Sequence, residues 1–74
     1  MTKIILYEGS IETIEKEIDK IETEDVNSYG LKVREILERN GFEMPRYIRM
    51  MLHKDGSLRE DFGSHTKFIA VYGS

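Results

Sequence analysis

The side chains best suited to acid–base chemistry stand in the second half of the chain. His53 and His65 are its two histidines, and Asp55 follows the first of them closely. A general base needs hydrogen-bond reach to a substrate and a partner that orients it, and the spacing alone supplies neither. Both histidines flank predicted turns, and no G-x-S-x-G nucleophile motif occurs. The sequence therefore indicates no catalytic residue, and we expect a chain that is not an enzyme.

Ligands for a metal ion or a phosphate are also few. The chain has no cysteine, whereas a zinc site needs three or four converging ligands. Gly9 and Ser10 stand where an anion could bind, but Glu8 and Glu12 beside them would repel phosphate and no G-x-x-x-x-G-K motif follows. We therefore expect neither a metal nor a cofactor.

Basic and aromatic side chains interleave in the second half of the chain. They are Arg46, Tyr47, Arg49, His53, Lys54, Arg59, His65, Lys67 and Tyr72. On an open sheet, aromatic rings can stack bases while Arg and Lys contact phosphate. The pI near 5.3 argues against this hypothesis, because domains of that kind usually exceed about 9. RNA binding or a toxin-like ribonuclease, using Arg46, Arg49, His53, Lys54 and Lys67, is therefore the alternative function.

The first half of the chain is acidic. Residues 8–28 hold eight acids against two lysines, a net charge of −6, whereas residues 29–74 carry a net charge of +2. Such an asymmetry concerns partners rather than fold. We take Glu12, Glu15, Asp19 and Glu22 as candidate docking residues, on the polar side of a predicted helix. An acidic face of this kind could occupy the basic channel of an enzyme that handles DNA or RNA.

A second candidate surface is the outer side of a predicted strand. It would present Tyr47, Arg49, Met51 and His53, a mixture typical of protein interfaces. Tyr7 and Tyr72 would join this patch in one of the two registers. A functional partner or a symmetric homodimer would cover such a face.

The elements that position these residues begin with a strand over Lys3–Tyr7, which is rich in β-branched residues. Ser10 is a suitable N-cap for a helix. Ile11, Ile14, Ile18 and Ile21 follow at spacings of three, four and three, which predicts an amphipathic helix from residue 11 to about residue 23.

A second helix is predicted from the helical spacing of Val26, Tyr29, Val33, Ile36 and Leu37. Asp25, Asn27 and Ser28 are alternative caps at its start. Asn40 and Gly41 predict a Schellman ending, in which Phe42 contacts Leu37.

The rest of the chain predicts strands. Residues 47–53 alternate, with Ile48, Met50 and Leu52 toward the core. Asp55-Gly56 predicts a hairpin, residues 58–62 form a short edge strand or a turn, and residues 66–72 form the last strand. Either Phe68 and Ala70 or Ile69 and Val71 of that strand face the helices.

Together these elements predict a single α+β domain over residues 1–74, of order β-α-α-β-(β)-β, with two helices packed on one face of a mainly antiparallel sheet. In element order alone it resembles the RelE-like ribonuclease toxins. The N-terminal apolar run is too short for a signal peptide or a membrane span, so we expect a cytoplasmic chain without membrane contact. The leading hypothesis is a non-catalytic domain that binds a larger protein, such as a phage- or mobile-element-type antagonist of a nucleic-acid enzyme.

Overall fold

A computed structural model describes residues 1–24, 28–43, 45, 49–64 and 66–73. The described elements are β1 (Thr2–Ser10), β2 (Thr13–Thr23), α1 (Tyr29–Arg39), β3 (Met51–Leu52), β4 (Leu58–Glu60) and β5 (Lys67–Tyr72). The strands form one sheet in the order β2-β1-β5-β4-β3, and every described pairing is antiparallel.

The helix predicted from residue 11 to about residue 23 is wrong, because this segment is the long strand β2. β1 and β2 form a hairpin closed by the pair Ser10–Thr13, so Ser10 ends a strand and caps no helix. Gly9 permits this turn, since its backbone has a φ of +130° and a side chain there would collide with the carbonyl oxygen of Thr13. The register slips twice, once at Ile18 and once at Glu15, where β2 has one more residue than β1.

The predicted second helix is confirmed as α1. Its C-terminal end has both hydrogen bonds of a Schellman motif: the N–H of Phe42 donates to Leu37 O at 2.9 Å, and that of Gly41 donates to Glu38 O at 3.1 Å. Gly41 adopts the left-handed backbone that this ending requires. Val33, Ile36 and Leu37 are the buried side chains of the helix.

The predicted hairpin at Asp55-Gly56 is also confirmed, and it joins β3 to β4. However, β4 is not an edge strand, because it lies between β5 and β3. Leu52 was expected in the core, but 73% of it is exposed, since β3 is a two-residue strand at the edge of the sheet. Met50 does pack against the core.

Several predictions concern residues outside the described part of the chain. These residues are Asp25, Val26, Asn27, Met44, Arg46, Tyr47, Ile48 and His65. They include Tyr47 of the predicted sheet-face patch and Arg46 of the five residues named for RNA binding.

Both faces of the central strands are buried, which explains why the sequence of β5 was compatible with either orientation of its side chains. On the side of α1, one cluster contains Ile4, Leu6, Ile21, Val33, Ile36, Leu37, Ile69 and Val71. On the opposite side, a smaller cluster contains Ile5, Tyr7, Phe68 and Ala70. Ile69 and Val71 therefore face the helix, and Phe68 and Ala70 face away from it.

The predicted fold class must be corrected accordingly. The described chain has one helix and a five-stranded antiparallel sheet, so it is mostly β and not a two-helix α+β layer. The likeness of element order to RelE-like toxins depended on the predicted first helix and is lost with it. Within the described residues, no helix is long and apolar enough to cross a membrane.

Candidate functional site

The predicted docking acids lie on an exposed edge of the sheet. β2 is the outermost strand on its side, and Glu12 is in the turn that leads into it. Five carboxylates are exposed along this strand and at its two ends, and we refer to them as the acidic edge: Glu12, Glu15, Glu17, Glu22 and Glu24. Lys16 and Lys20 are the exposed cations among them, so the edge carries a net charge of −3.

Asp19 lies on the same strand but is already engaged inside the molecule. Arg39 donates two hydrogen bonds to its carboxylate, from Nε at 2.6 Å and from Nη2 at 2.7 Å, and Asn40 Nδ2 donates a third at 2.8 Å. The hydrogen bonds from Arg39, with that from Asn40, hold the pKa of Asp19 well below its usual range. Asp19 therefore fastens the C-terminal end of α1 to β2, and it is not free for a partner.

Two large apolar side chains of β2 also remain in water. Ile14 is 44% exposed and Ile18 is 37% exposed. Only Ile21 of this strand enters the core, where it pairs with Ile4. The acidic edge therefore combines carboxylates with exposed apolar contact area, which a fully solvated charged strand would not offer.

The sheet face opposite α1 is here called the open face. A row of paired residues crosses it from Met51 through Arg59, Ala70 and Ile5 to Lys20. Met51 is 58% exposed, whereas Arg59 is 7% exposed. A buried cation therefore lies next to the exposed Met51 in this row, and Tyr47 of the predicted patch is outside the described residues.

The tyrosines of the open face interact with each other. The hydroxyl groups of Tyr7 and Tyr72 lie 3.2 Å apart, and the Tyr7 ring packs at 5.2 Å from that of Phe68. Burial, together with the hydrogen bond to Tyr72, raises the pKa of Tyr7 above its ordinary range. A shallow pocket of about 430 Å³ lies here, lined by Met1, Lys3, Ile5, Tyr7, Tyr72 and Gly73.

Arg59 is the centre of a polar network that the sequence did not suggest. Its guanidinium donates to Ser57 Oγ at 3.0 Å, to Ile11 O at 2.9 Å and to Asp55 Oδ2 at 2.7 Å. The same group lies 5.4 Å from the centre of the Phe68 ring. Arg59 therefore connects the β3–β4 hairpin to the turn between β1 and β2. The Asp55-x-Ser57 spacing in this turn was a signal for part of the network, but no local pattern marked Arg59 as buried.

Asp55 and Ser57 complete this network. Ser57 is fully buried, and its Oγ and its N–H donate to Asp55 Oδ1 at 2.6 Å and 3.0 Å. These two hydrogen bonds, together with the one from Arg59, hold the pKa of Asp55 well below its usual range. A buried hydroxyl with this partner has no path to attack a substrate, so the network is structural.

Of the predicted RNA-contacting residues that the structure describes, His53, Lys54 and Arg59 line one surface pocket. Arg49 and Lys54 are exposed, but Arg59 is turned inward. Lys67 is half-buried, with its ammonium 6.0 Å from the centre of the Phe42 ring. Of these four described cations, Arg49 and Lys54 are therefore the exposed ones, and RNA binding by this half of the chain stays a prediction.

His53 lies beside the Arg59 network. It is half-buried and lines a surface pocket of about 420 Å³ with Glu12, Lys54, Asp55 and Arg59. Its described hydrogen bonds are made by its backbone: its N–H donates to Ser57 O, and its C=O accepts from the N–H of Gly56. No described contact therefore orients its ring as a general base.

The described residues contain no group of three or more His, Cys, Asp or Glu side chains that could hold a metal ion. Compared with protein-family models, with curated proteins and with solved structures, the chain has no match in any of the three, so its function is inferred from its own residues.

Proposed function

We propose that this chain is a non-catalytic protein-binding domain that docks its acidic edge on a basic surface of a larger protein. The observation that carries the proposal is the placement of five exposed carboxylates along one strand and its two ends. A strand of this length spans roughly 30 Å, so the carboxylates lie along one line and are not scattered over the surface.

The rigidity of the acidic edge supports the same proposal. β2 pairs with β1 over nine positions, and the ion pair between Asp19 and Arg39 holds it against α1. Because the backbone of the strand is held in this way, it need not be ordered when a partner binds, which lowers the entropy cost of docking. A line of carboxylates also complements the basic channel of an enzyme that handles DNA or RNA, and this is the class of partner that we propose.

The test is capture of a partner by the intact chain and by two charge-reversed variants. Glu15→Lys with Glu22→Lys reverses two carboxylates of the acidic edge. Glu35→Lys with Glu38→Lys makes the same change of net charge on the exposed side of α1, and these two glutamates, like Glu22, each take part in one exposed ion pair.

The native chain and the helix variant should retain the same partner, and the edge variant should lose it. Binding should also weaken as salt is raised, because exposed charges are screened at ionic strengths above about 0.1 M. Equal retention by both variants would contradict docking through the acidic edge. Equal loss by both would show a general effect of net charge instead.

A further inference from the structure

The outer side of β2 offers a feature besides its charge, namely a backbone edge on which no other described strand lies. β2 lies at the end of the strand order, and within the described chain it pairs only with β1. In such a strand, about half of the N–H and C=O groups point away from the sheet. They form a template for another extended chain.

The two edges of this sheet differ in length. β2 has eleven residues, whereas β3 at the other edge has two. A long edge is what a folded protein usually avoids, by shortening the strand or by placing charges and bulges on it. β2 carries charges and two bulges, yet it also leaves Ile14 and Ile18 in water.

The sign of the charges selects the occupant of this edge. Opposite charges on neighbouring strands attract, and like charges directly opposite each other repel. Two copies of β2 would therefore oppose each other through their glutamates, whereas an extended segment rich in Lys or Arg would be attracted. The exposed Ile14 and Ile18 would pack against β-branched residues of that segment.

We infer that the outer edge of β2 binds an extended, basic segment of the partner as a sixth strand of the sheet. This inference rests on the proposed function and adds the mode of binding. Main-chain hydrogen bonds hold the added strand, and the carboxylates of Glu15, Glu17 and Glu22 select its positive charge.

The experiment uses the full chain, labelled with ¹⁵N, and a short acetylated peptide of alternating lysine and valine. A second peptide has the same sequence with every backbone nitrogen between its residues methylated, so that charge and side chains are kept and the hydrogen-bond donors of both edges are lost. Amide chemical shifts locate the binding site, and hydrogen exchange reports which amides become protected.

The unmodified peptide should shift amides of β2 and slow their exchange, and the amides of α1 should not change. The methylated peptide should bind about tenfold more weakly, or worse, because several hydrogen bonds cannot form. The Glu15→Lys, Glu22→Lys variant should also lose affinity, whereas Glu35→Lys with Glu38→Lys should retain it.

Two results would overturn the inference. Equal binding of both peptides at β2, still sensitive to the glutamates, would mean that charge alone holds the partner; the proposed function would stand without the added strand. An unmodified peptide that leaves β2 unchanged would reject strand addition outright. The capture experiment would then decide separately whether the acidic edge binds a protein.

Discussion

Replacing Ile21 and Ile18 by alanine, one at a time, tests whether residues 13–23 form a strand or a helix. An amphipathic helix would bury both side chains, whereas in β2 Ile21 is 8% exposed and Ile18 is 37% exposed. Ile21 packs in the cluster around Ile4 and Ile36, and removing such a side chain costs about 2–5 kcal/mol. Ile18→Ala should cost about 1 kcal/mol or less, which is the range of strand propensity at an exposed site.

The measurement is urea denaturation followed by circular dichroism. A core of this size supplies roughly 3–5 kcal/mol, so Ile21→Ala should be largely unfolded without urea. Ile21→Val, with an expected loss of about 0.5–1.5 kcal/mol, gives a folded variant for comparison. If Ile18→Ala were as destabilising as Ile21→Ala, both side chains would be in the core, and β2 would be assigned wrongly.

Three further predictions concern single residues. Arg59→Met keeps the apolar stem but removes three hydrogen bonds, so the free energy of unfolding should fall by about 2–4 kcal/mol in a urea titration. An unchanged free energy would show that the network is dispensable for stability. The folded state lowers the pKa of Asp19 from 3.8, so its contribution to stability is present above that pH and is lost as the pH falls below it. Asp19→Asn should therefore flatten the acid side of the plot of unfolding free energy against pH. An unchanged plot would contradict the ion pair. Gly9→Ala should lower the free energy of unfolding by more than about 2 kcal/mol, because a φ of +130° and the overlap with Thr13 O both oppose a side chain. Gly30→Ala is the control: its added methyl group meets nothing within 4 Å, so it should raise the thermal midpoint.

The parts of the fold that were predicted correctly have short-range causes. α1 ends where Asn40 and Gly41 allow a left-handed turn, and the β3–β4 hairpin turns at Asp55 and Gly56. β1 and β5 were found because runs of β-branched and aromatic residues favour strands. In each case a few adjacent residues determine the local structure, whatever the rest of the chain does.

β2 was mistaken for a helix because its pattern results from two bulges. Ile14, Ile18 and Ile21 are spaced as on a helix face, and the Glu and Lys residues between them are good helix formers. The extra residues at Glu15 and Ile18 interrupt the strand period of two, and pairing with β1 then outweighs helix propensity. Thr13 and Thr23, which end the strand, were the available signal for β structure.

The candidate site was predictable in its charge but not in its shape. The acidic excess of residues 8–28 can be counted in the sequence, and four of its glutamates are exposed on β2 or in the turn before it. Asp19 could not be separated from them, because its partner Arg39 is twenty residues away on another element. Arg59 was taken for a surface cation for a similar reason, since its burial depends on Phe68 and on the turn at Ile11.

The contrast between Asp19 and its neighbours links the fold to the proposed function. Asp19 lies against the C-terminal end of α1, where a carboxylate would otherwise be unfavourable. Its ion pair with Arg39 neutralises it, so this carboxylate holds the helix against β2. The glutamates of β2 are exposed to water. Like charges on this edge oppose pairing between two copies of the chain, and the same charges attract a basic segment. A single set of residues can therefore keep the free protein from self-association and select its partner.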